Sequence, residues 1–499
     1  MFTRITSAAA VLYIFAGVFS NALAQSVTGQ ISGTVTDSAD APIAGATAHL
    51  THDLSKQMRT LTTESSGSFI FPNLVPGDYS IQVTQPGFKS YVQQAINVSA
   101  NEKVALHTIR MAIGDVNSTV TVQAETARVA TDSSDRTIQV DSNMLENSPV
   151  RGRDWLGVLQ TLPGVVDLNN HDVPGWNSGM PTVNGGQTGQ VLISLDGVSS
   201  QDSGCTTGSV CSGYMAPSVD AIGEVKVMVS NYSAQYGSRS GGQLVVSVKN
   251  GTNQFHGSAY YFYRHEPLNA NEYFNNANRI QKPLYRFSNS GGTIGGPLLI
   301  PGTNFNKSRT KLFFFFSEDY LSFLTPGNLN KFTMPTVAER SGDFSKTTTT
   351  TGTAIRILDP NNNKVQFPGN IIPASRISPA GYAMMNLFPA PFTTDPTGQR
   401  QYNSIYQFGR HDPREDRILR LDFGAGPKTQ MFVRLMNDYQ GDRGIGATLN
   451  STGGWGQLPT DYGIQSAGAV FTMIHTFRSN LINEFTAGLN RAHQTVGIS

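Results

Sequence analysis

Outside its first two dozen residues the chain has no apolar run long enough to cross a bilayer as a helix. Any membrane-spanning part must therefore close its backbone hydrogen bonds between strands, as a barrel does. Charge of one sign is also lacking. Lys+Arg number 36 against 35 Asp+Glu, a net charge of +1, so no global field attracts nucleic acid. Cysteine is nearly absent: Cys205 and Cys211 stand close together in a Gly/Ser/Thr-rich stretch, with no His or acidic residue at zinc-like spacing beside them. His49 and His52 do not share a zincin-like motif with a Glu, and they read as strand-surface or loop residues. Asp196 and Glu224 have no partner at a spacing that suggests acid–base work. No catalytic residue, metal site or cofactor is assigned.

What is present begins with an export signal over residues 1–24. Arg4 supplies the positive end, Ala8–Phe19 the apolar core, and Ala22-Leu23-Ala24 a small-x-small cleavage site. In an exported protein the pair Cys205 and Cys211 is expected to form a disulfide that pins its loop. Gly is abundant, at 50 residues, as many strands joined by tight turns would require. The fold class expected is mainly β: a sandwich, a small α+β unit, then the first part of an antiparallel transmembrane barrel.

Residues 27–113 carry short alternating runs, Ile31–Val35, Ala46–Leu50 and Tyr79–Val83, separated by turn signals such as Ser65-Ser66-Gly67 and Pro76-Gly77-Asp78. That spacing predicts a small antiparallel β-sandwich. Gly33-Thr34-Val35-Thr36-Asp37, Pro42–Ala46, Gly67–Phe71, Leu74–Tyr79 and Gly87-Phe88 resemble the carboxypeptidase regulatory-like domain, with Glu64 and Ala41 departing from its usual turn residues. This sandwich type is similar to carbohydrate-binding folds, which makes a glycan one candidate ligand class.

Residues 114–137 are polar and read as a linker. Within them Thr119-Val120-Thr121-Val122-Gln123-Ala124 is β-prone. It reads either as the sandwich's last strand or, by resemblance, as the TonB box of outer-membrane receptors, a segment that its energising partner binds as an added strand.

Residues 138–250 mix two helical stretches, Asp141–Glu146 and Trp155–Thr161, with strand candidates Ile138–Val140, Thr182–Asn184, Val191–Leu195, Glu224–Val229 and Gln243–Lys249. Leu159–Val165, Val183–Gly186, Val191–Val198, Ile222–Val227 and Tyr236–Gln243 resemble, in order, the blocks of the plug domain of TonB-dependent receptors. Gly197, Gly237 and Gly242 are expected to serve tight turns, Asp196 to bond within its own turn, and Arg239 either to pair with the barrel wall or to stay solvated.

From residue 251 to 499 the runs Phe255–Arg264, Tyr285–Gly295, Lys311–Phe323, Arg417–Gly424, Gln430–Asp438, Gln465–Phe477 and Leu481–Asn490 read as wall strands. Leu419, Leu421 and Phe423 are expected to face lipid, and Ile418, Arg420 and Asp422 the lumen. The aromatic runs Tyr260–Tyr263 and Phe313–Phe316 are expected to form interface girdles. A long polar loop is expected near 324–414, on the outer face, with a short helix at Tyr382–Phe388. Seven strands fall short of the roughly 22 of a plugged transporter barrel, so the chain reads as the N-terminal part of a longer receptor.

The whole resembles the Oar-like branch of TonB-dependent outer-membrane receptors. The resemblance implies three partners: a TonB-type energy-transducing protein, an extracellular ligand and outer-membrane lipid. A secreted or surface carbohydrate-binding or adhesion protein without transport is the alternative, and it leaves the plug-like blocks unexplained.

Overall fold

The computed structural model describes residues 28–100, 102–115, 119–123, 135–167, 180–187, 189–200, 215–233, 236–237, 239–271, 273, 276, 281–326, 330–393, 402–406, 409–426, 428–444, 460–478 and 481–498. The export signal, Ala124, Cys205 and Cys211 lie outside them.

Two sheets face each other in the N-terminal sandwich. One pairs Ser68–Leu74, Gly29–Thr36 and Lys103–Ala105, with Ile109–Arg110 added to the same central strand. The other runs Met58–Thr62, Thr47–His52, Gly77–Thr84, Ser90–Val98, Thr119–Gln123. Period-2 alternation aims Ile31, Val35, Leu50, Phe71, Ile81 and Val83 into one core. Thr119–Gln123 is the last strand of its sheet and lies parallel to Ser90–Gln94. The polar stretch after residue 113 is thus partly sheet, and its far end, from Arg136, is already the first plug strand, Arg136–Asp141.

His49 keeps partial exposure and bonds Thr60 Oγ1 at 2.9 Å, but His52 is buried, which corrects the surface reading. Its Nδ1 meets Ser55 Oγ at 2.8 Å, and its ring stands edge-on to Tyr79. Burial drives its pKa from 6.5 down to about 4. The neutral ring is therefore the form the fold favours. This stabilisation is complete above pH 6.5 and is lost as pH falls from 6.5 through about 4. The expected loss is on the order of 3 kcal/mol, about 1.4 kcal/mol per pKa unit. Chemical denaturation of the sandwich across that range should show it, and His52→Gln should flatten the profile.

The plug is a five-stranded sheet in the order Arg136–Asp141, Ile222–Ser230, Gln243–Val248, Leu192–Leu195, Val198–Ser199. Gln243–Val248 is buried on both faces and runs parallel to Leu192–Leu195, so it reads as an unbroken apolar run rather than an alternation. The helix Ser142–Asn147 starts where the Asp141 carboxylate accepts the Met144 N–H. Trp155–Val158 is capped likewise by Asp154 and continues as a 3-10 turn, Leu159–Thr161.

The wall is a seven-stranded antiparallel meander: His256–His265, Arg286–Pro297, Leu312–Pro326, Gly409–Gly426, Thr429–Gly444, Thr460–Arg478 and Leu481–Ile498. The fourth strand begins eight residues before its expected start, so the long loop is shorter than its sequence suggests. Arg410, Asp412, Arg414 and Asp416 hid it, because an inward row of charges shows no apolar alternation. The aromatic runs are likewise split by period 2. Phe313 and Phe315 are buried, with Phe315 in the plug's core cluster, while Tyr261 and Tyr263 are exposed on the other face. Only half of each run is available for a girdle.

Two residues separate the strands at Gly426/Thr429 and at Arg478/Leu481, and 14 separate them at Pro297/Leu312, all at one end of the wall. Pro326 and Gly409, at the other end, are separated by the longest connection. Short turns mark the periplasmic side of such a wall. The sandwich sits at that side: Arg59 Nη2 donates to Thr476 Oγ1 at 3.0 Å, Thr28 Oγ1 to Glu484 at 3.0 Å, and Gln430 to Gln57 at 3.3 Å. Within the long connection, the helix Pro379–Leu387 is capped by Ser378.

Candidate functional site: the plug against the wall

The hairpin between Leu192–Leu195 and Val198–Ser199 turns on two residues, Asp196 (φ 47°) and Gly197 (φ 85°). Asp-Gly is the pair that tolerates positive φ at both central positions of a tight hairpin turn. This turn projects the Asp196 carboxylate off the end of the plug sheet into the wall.

There its Oδ1 accepts the Val248 N–H at 3.1 Å and faces Arg420 Nη1 at 3.5 Å, while Oδ2 accepts Arg434 Nε at 3.2 Å. Asp196, Arg420 and Arg434 are each at most 4% exposed in their side chains. Arg420 also donates to the Val248 carbonyl at 3.0 Å and forks onto Asp422, and Arg434 donates to the Leu195 carbonyl at 3.2 Å. Its guanidinium lies 4.3 Å over the Phe432 ring in the case of Arg420. Two carboxylates and two guanidiniums thus close a neutral, buried network that joins plug backbone to wall side chains. Removing water from four charges is costly, and this geometry offsets the cost with fixed hydrogen bonds.

Three further contacts flank it. The Ser218 N–H donates to Asp416 at 3.1 Å, beside the wall pair Arg414–Asp438 at 3.4 Å. Arg153 pairs with Asp220 and stacks over Tyr260 and Phe262, while Tyr260 donates to Asp319 at 2.6 Å. Asn490 of the last wall strand donates to the Ser199 carbonyl. The plug is therefore held by polar contacts from several wall strands, beside the apolar cluster it shares with Phe315, Ile418 and Met436.

The other expected site residues fall as follows. Gly242 has φ 107°, and a Cβ there would meet Val183 at 3.1 Å, so its glycine is required. Gly237 has open space around it and no positive φ, so the fold does not require glycine there, although its carbonyl accepts the Arg239 N–H at 3.0 Å across a tight turn. Arg239 Nη1 donates to the Gly189 carbonyl at 2.8 Å, inside the plug and not on the wall. Asp196 reaches beyond its own turn, to two wall arginines. Sequence reasoning placed Arg420 in the lumen but did not find Arg434 or its pairing. The available signal was the regular spacing Arg414, Asp416, Arg420, Asp422 on one face of a strand.

Residues 247–498 match the outer membrane beta barrel domain, residues 30–112 the carboxypeptidase regulatory-like domain, and residues 130–243 the TonB-dependent receptor plug domain. The chain belongs to the outer-membrane β-barrel family, as a TonB-dependent receptor. It is 25% identical over 313 residues to the TonB-dependent transporter Oar of Myxococcus xanthus, covering 60% of this chain and 27% of that protein. Among solved structures it is similar to the siderophore receptor PirA of Acinetobacter baumannii, with TM-score 0.41, 15% identity and coverage of 72% of this chain and 40% of that one. It is also similar to the outer-membrane transporter YddB of Escherichia coli, with TM-score 0.42, 13% identity and coverage of 71% and 38%. The receptor resides in the outer membrane. Its chain spans 27% of the length of the curated relative it matches.

Proposed function

We propose that the full-length receptor binds an extracellular ligand and imports it through the barrel, with the plug as a gate worked by a TonB-type partner. One observation carries this reading: the plug is fixed to the wall by hydrogen-bonded ion pairs centred on Asp196, Arg420 and Arg434. An apolar seam, such as the one at Phe315, Ile418 and Met436, resists water, whereas charged groups exchange their partners for water when the plug moves. Such a contact can hold firmly and still release.

The reading assigns no catalytic residue, because the carboxylates at the plug are committed to guanidiniums and backbone N–H groups. Residues 1–24 serve as the export signal, and Cys205 and Cys211 as a loop-pinning pair. The partner engages Thr119–Ala124, of which Thr119–Gln123 is a strand at a sheet edge with Val120 exposed. An edge strand presents a free row of N–H and C=O groups for an added strand. The adhesion alternative is disfavoured by the sandwich's position at the short-turn side of the wall.

Photo-crosslinkers at Val120 and Val122 in the full-length protein, in energised cells, are expected to capture the partner. Capture at neither position would leave the segment as a plain sandwich strand and refute its partner role.

A further inference from the structure

The sandwich does more than hang below the plug. Its corner at Ser99-Ala100 is inserted against the plug's second strand. The Ala100 N–H donates to Glu224 Oε1 at 2.5 Å, and Lys226 Nζ donates to the Ala100 carbonyl at 2.8 Å. Glu224 and Lys226 are two residues apart on one strand and so project from the same face. Together they grip both polar groups of a single residue. Gln139 holds the other Glu224 oxygen at 2.8 Å, and the Ala100 methyl packs with Met228, Tyr236 and Val245.

Ala100, Met228, Tyr236 and Val245 are buried and the two ionisable side chains are 6–7% exposed, while Gln139 closes the grip from the exposed side. Burial raises the Glu224 carboxyl above its ordinary range and lowers the Lys226 ammonium below its own. Charges are rarely buried at a loose or accidental contact, because desolvation must be offset by defined partners. The same sandwich is tied to the wall through Thr28, Gln57 and Arg59, as described above, and the Asn253 N–H donates to the Leu54 carbonyl where the plug hands over to the wall.

Between these attachments lies a cavity of about 520 Å³. Pro76 and Asn97 of the sandwich form its floor, Ser247 and Asn250 of the plug its roof, and Phe255 and Arg420 of the wall its side. A volume of that size suits a small-molecule cargo. Cargo leaving the plug on the periplasmic side would enter this chamber with the sandwich still beneath it.

We propose that the sandwich is a second gate, latched to the plug by Glu224 and Lys226 on Ala100, and that the chamber above it is a holding site for a small polar cargo. The inference rests on the transport reading. Opening at the plug alone leaves the exit covered, and full passage requires the latch to break as well. Two gates in series keep the membrane sealed while either one is open.

The test uses the full-length receptor in detergent, with every native cysteine, Cys205 and Cys211 among them, replaced by serine and N250C to report on the chamber roof. N-ethylmaleimide probes small access, and a polyethylene-glycol maleimide of a few kilodaltons probes bulky access. With the latch intact the bulky reagent should react slowly. With E224A or K226A it should react about tenfold faster, as local opening exposes the chamber. Equal bulky-reagent rates with and without the latch would overturn the inference.

Ser194→Cys, in the plug interior, checks that the plug stays folded. Should either latch variant fail that check, K226M keeps the side-chain stem and removes only the donor to the Ala100 carbonyl. The same acceleration is then expected, and its absence overturns the gate. The assay uses neither cargo nor energy, so a failed gate leaves the transport reading standing, and failed transport leaves the gate measurable.

Discussion

Asp196→Ala is expected to loosen the plug by about 3–5 kcal/mol, the usual cost of removing one partner from a buried ion pair. The cost is large because the substitution leaves two cations behind. Arg434 is fully buried and Arg420 nearly so, and the Val248 N–H loses an acceptor as well. Hydrogen exchange over Leu192–Ser199 in the full-length receptor should accelerate by two orders of magnitude or more, as the energy-to-rate conversion requires. Single-channel recordings should show more frequent openings. Asp196→Asn keeps an acceptor for Val248 and should lie between the two. Combining D196A with Arg434→Met removes one stranded charge and should recover at least about 1 kcal/mol, since groups in one network do not contribute additively. Unchanged exchange in D196A would mean that the plug is held elsewhere.

Trp155→Ala carries the second large effect. Trp155 is 1% exposed, and its cluster joins the plug's Leu159, Val227 and Val246 to Phe315, Ile418 and Met436 of the wall. Truncating a buried Trp costs about 3–5 kcal/mol through lost transfer energy and an unfilled cavity. Its indole Nε1 is buried with no hydrogen-bond partner among the described residues, so Trp155→Phe removes that donor while keeping a ring. W155F should therefore cost far less than W155A. Urea titration followed by exchange over Trp155–Leu162 separates the two, and equal losses would contradict the packing argument.

The sandwich and the plug sheet were legible in the sequence where one face is wet and the other dry. Tyr79, Ile81 and Val83 declare themselves by alternation, and Asp196-Gly197 declares its turn. Legibility failed where both faces are polar or both are covered. Residues 409–416 form a strand whose inward side chains are charged, so the apolar period vanishes just where the plug is held. His52 looked like a surface residue because its cover, Tyr79 and the Ser55 turn, comes from other elements. The grip on Ala100 left no trace at all, since it is made to backbone atoms, which carry no residue-type signal. The pairing of Asp196 with Arg434 spans 238 positions and depends on the plug's placement inside the wall, which a local pattern does not encode.

The network around Asp196 also fixes what the lumen feels electrically. With the plug in place its carboxylate balances the wall at that height. On the proposed gating, a withdrawing plug would take that negative charge with it, while Arg420, Arg434 and Asp422 remain anchored on the strands. The passage thus becomes one charge more positive at the moment it opens. In a narrow channel bounded by low-dielectric protein and lipid, such a step in potential is felt strongly by whatever enters. The proposed opening and its ionic preference would therefore be set by the same four side chains, Asp196, Arg420, Arg434 and Asp422.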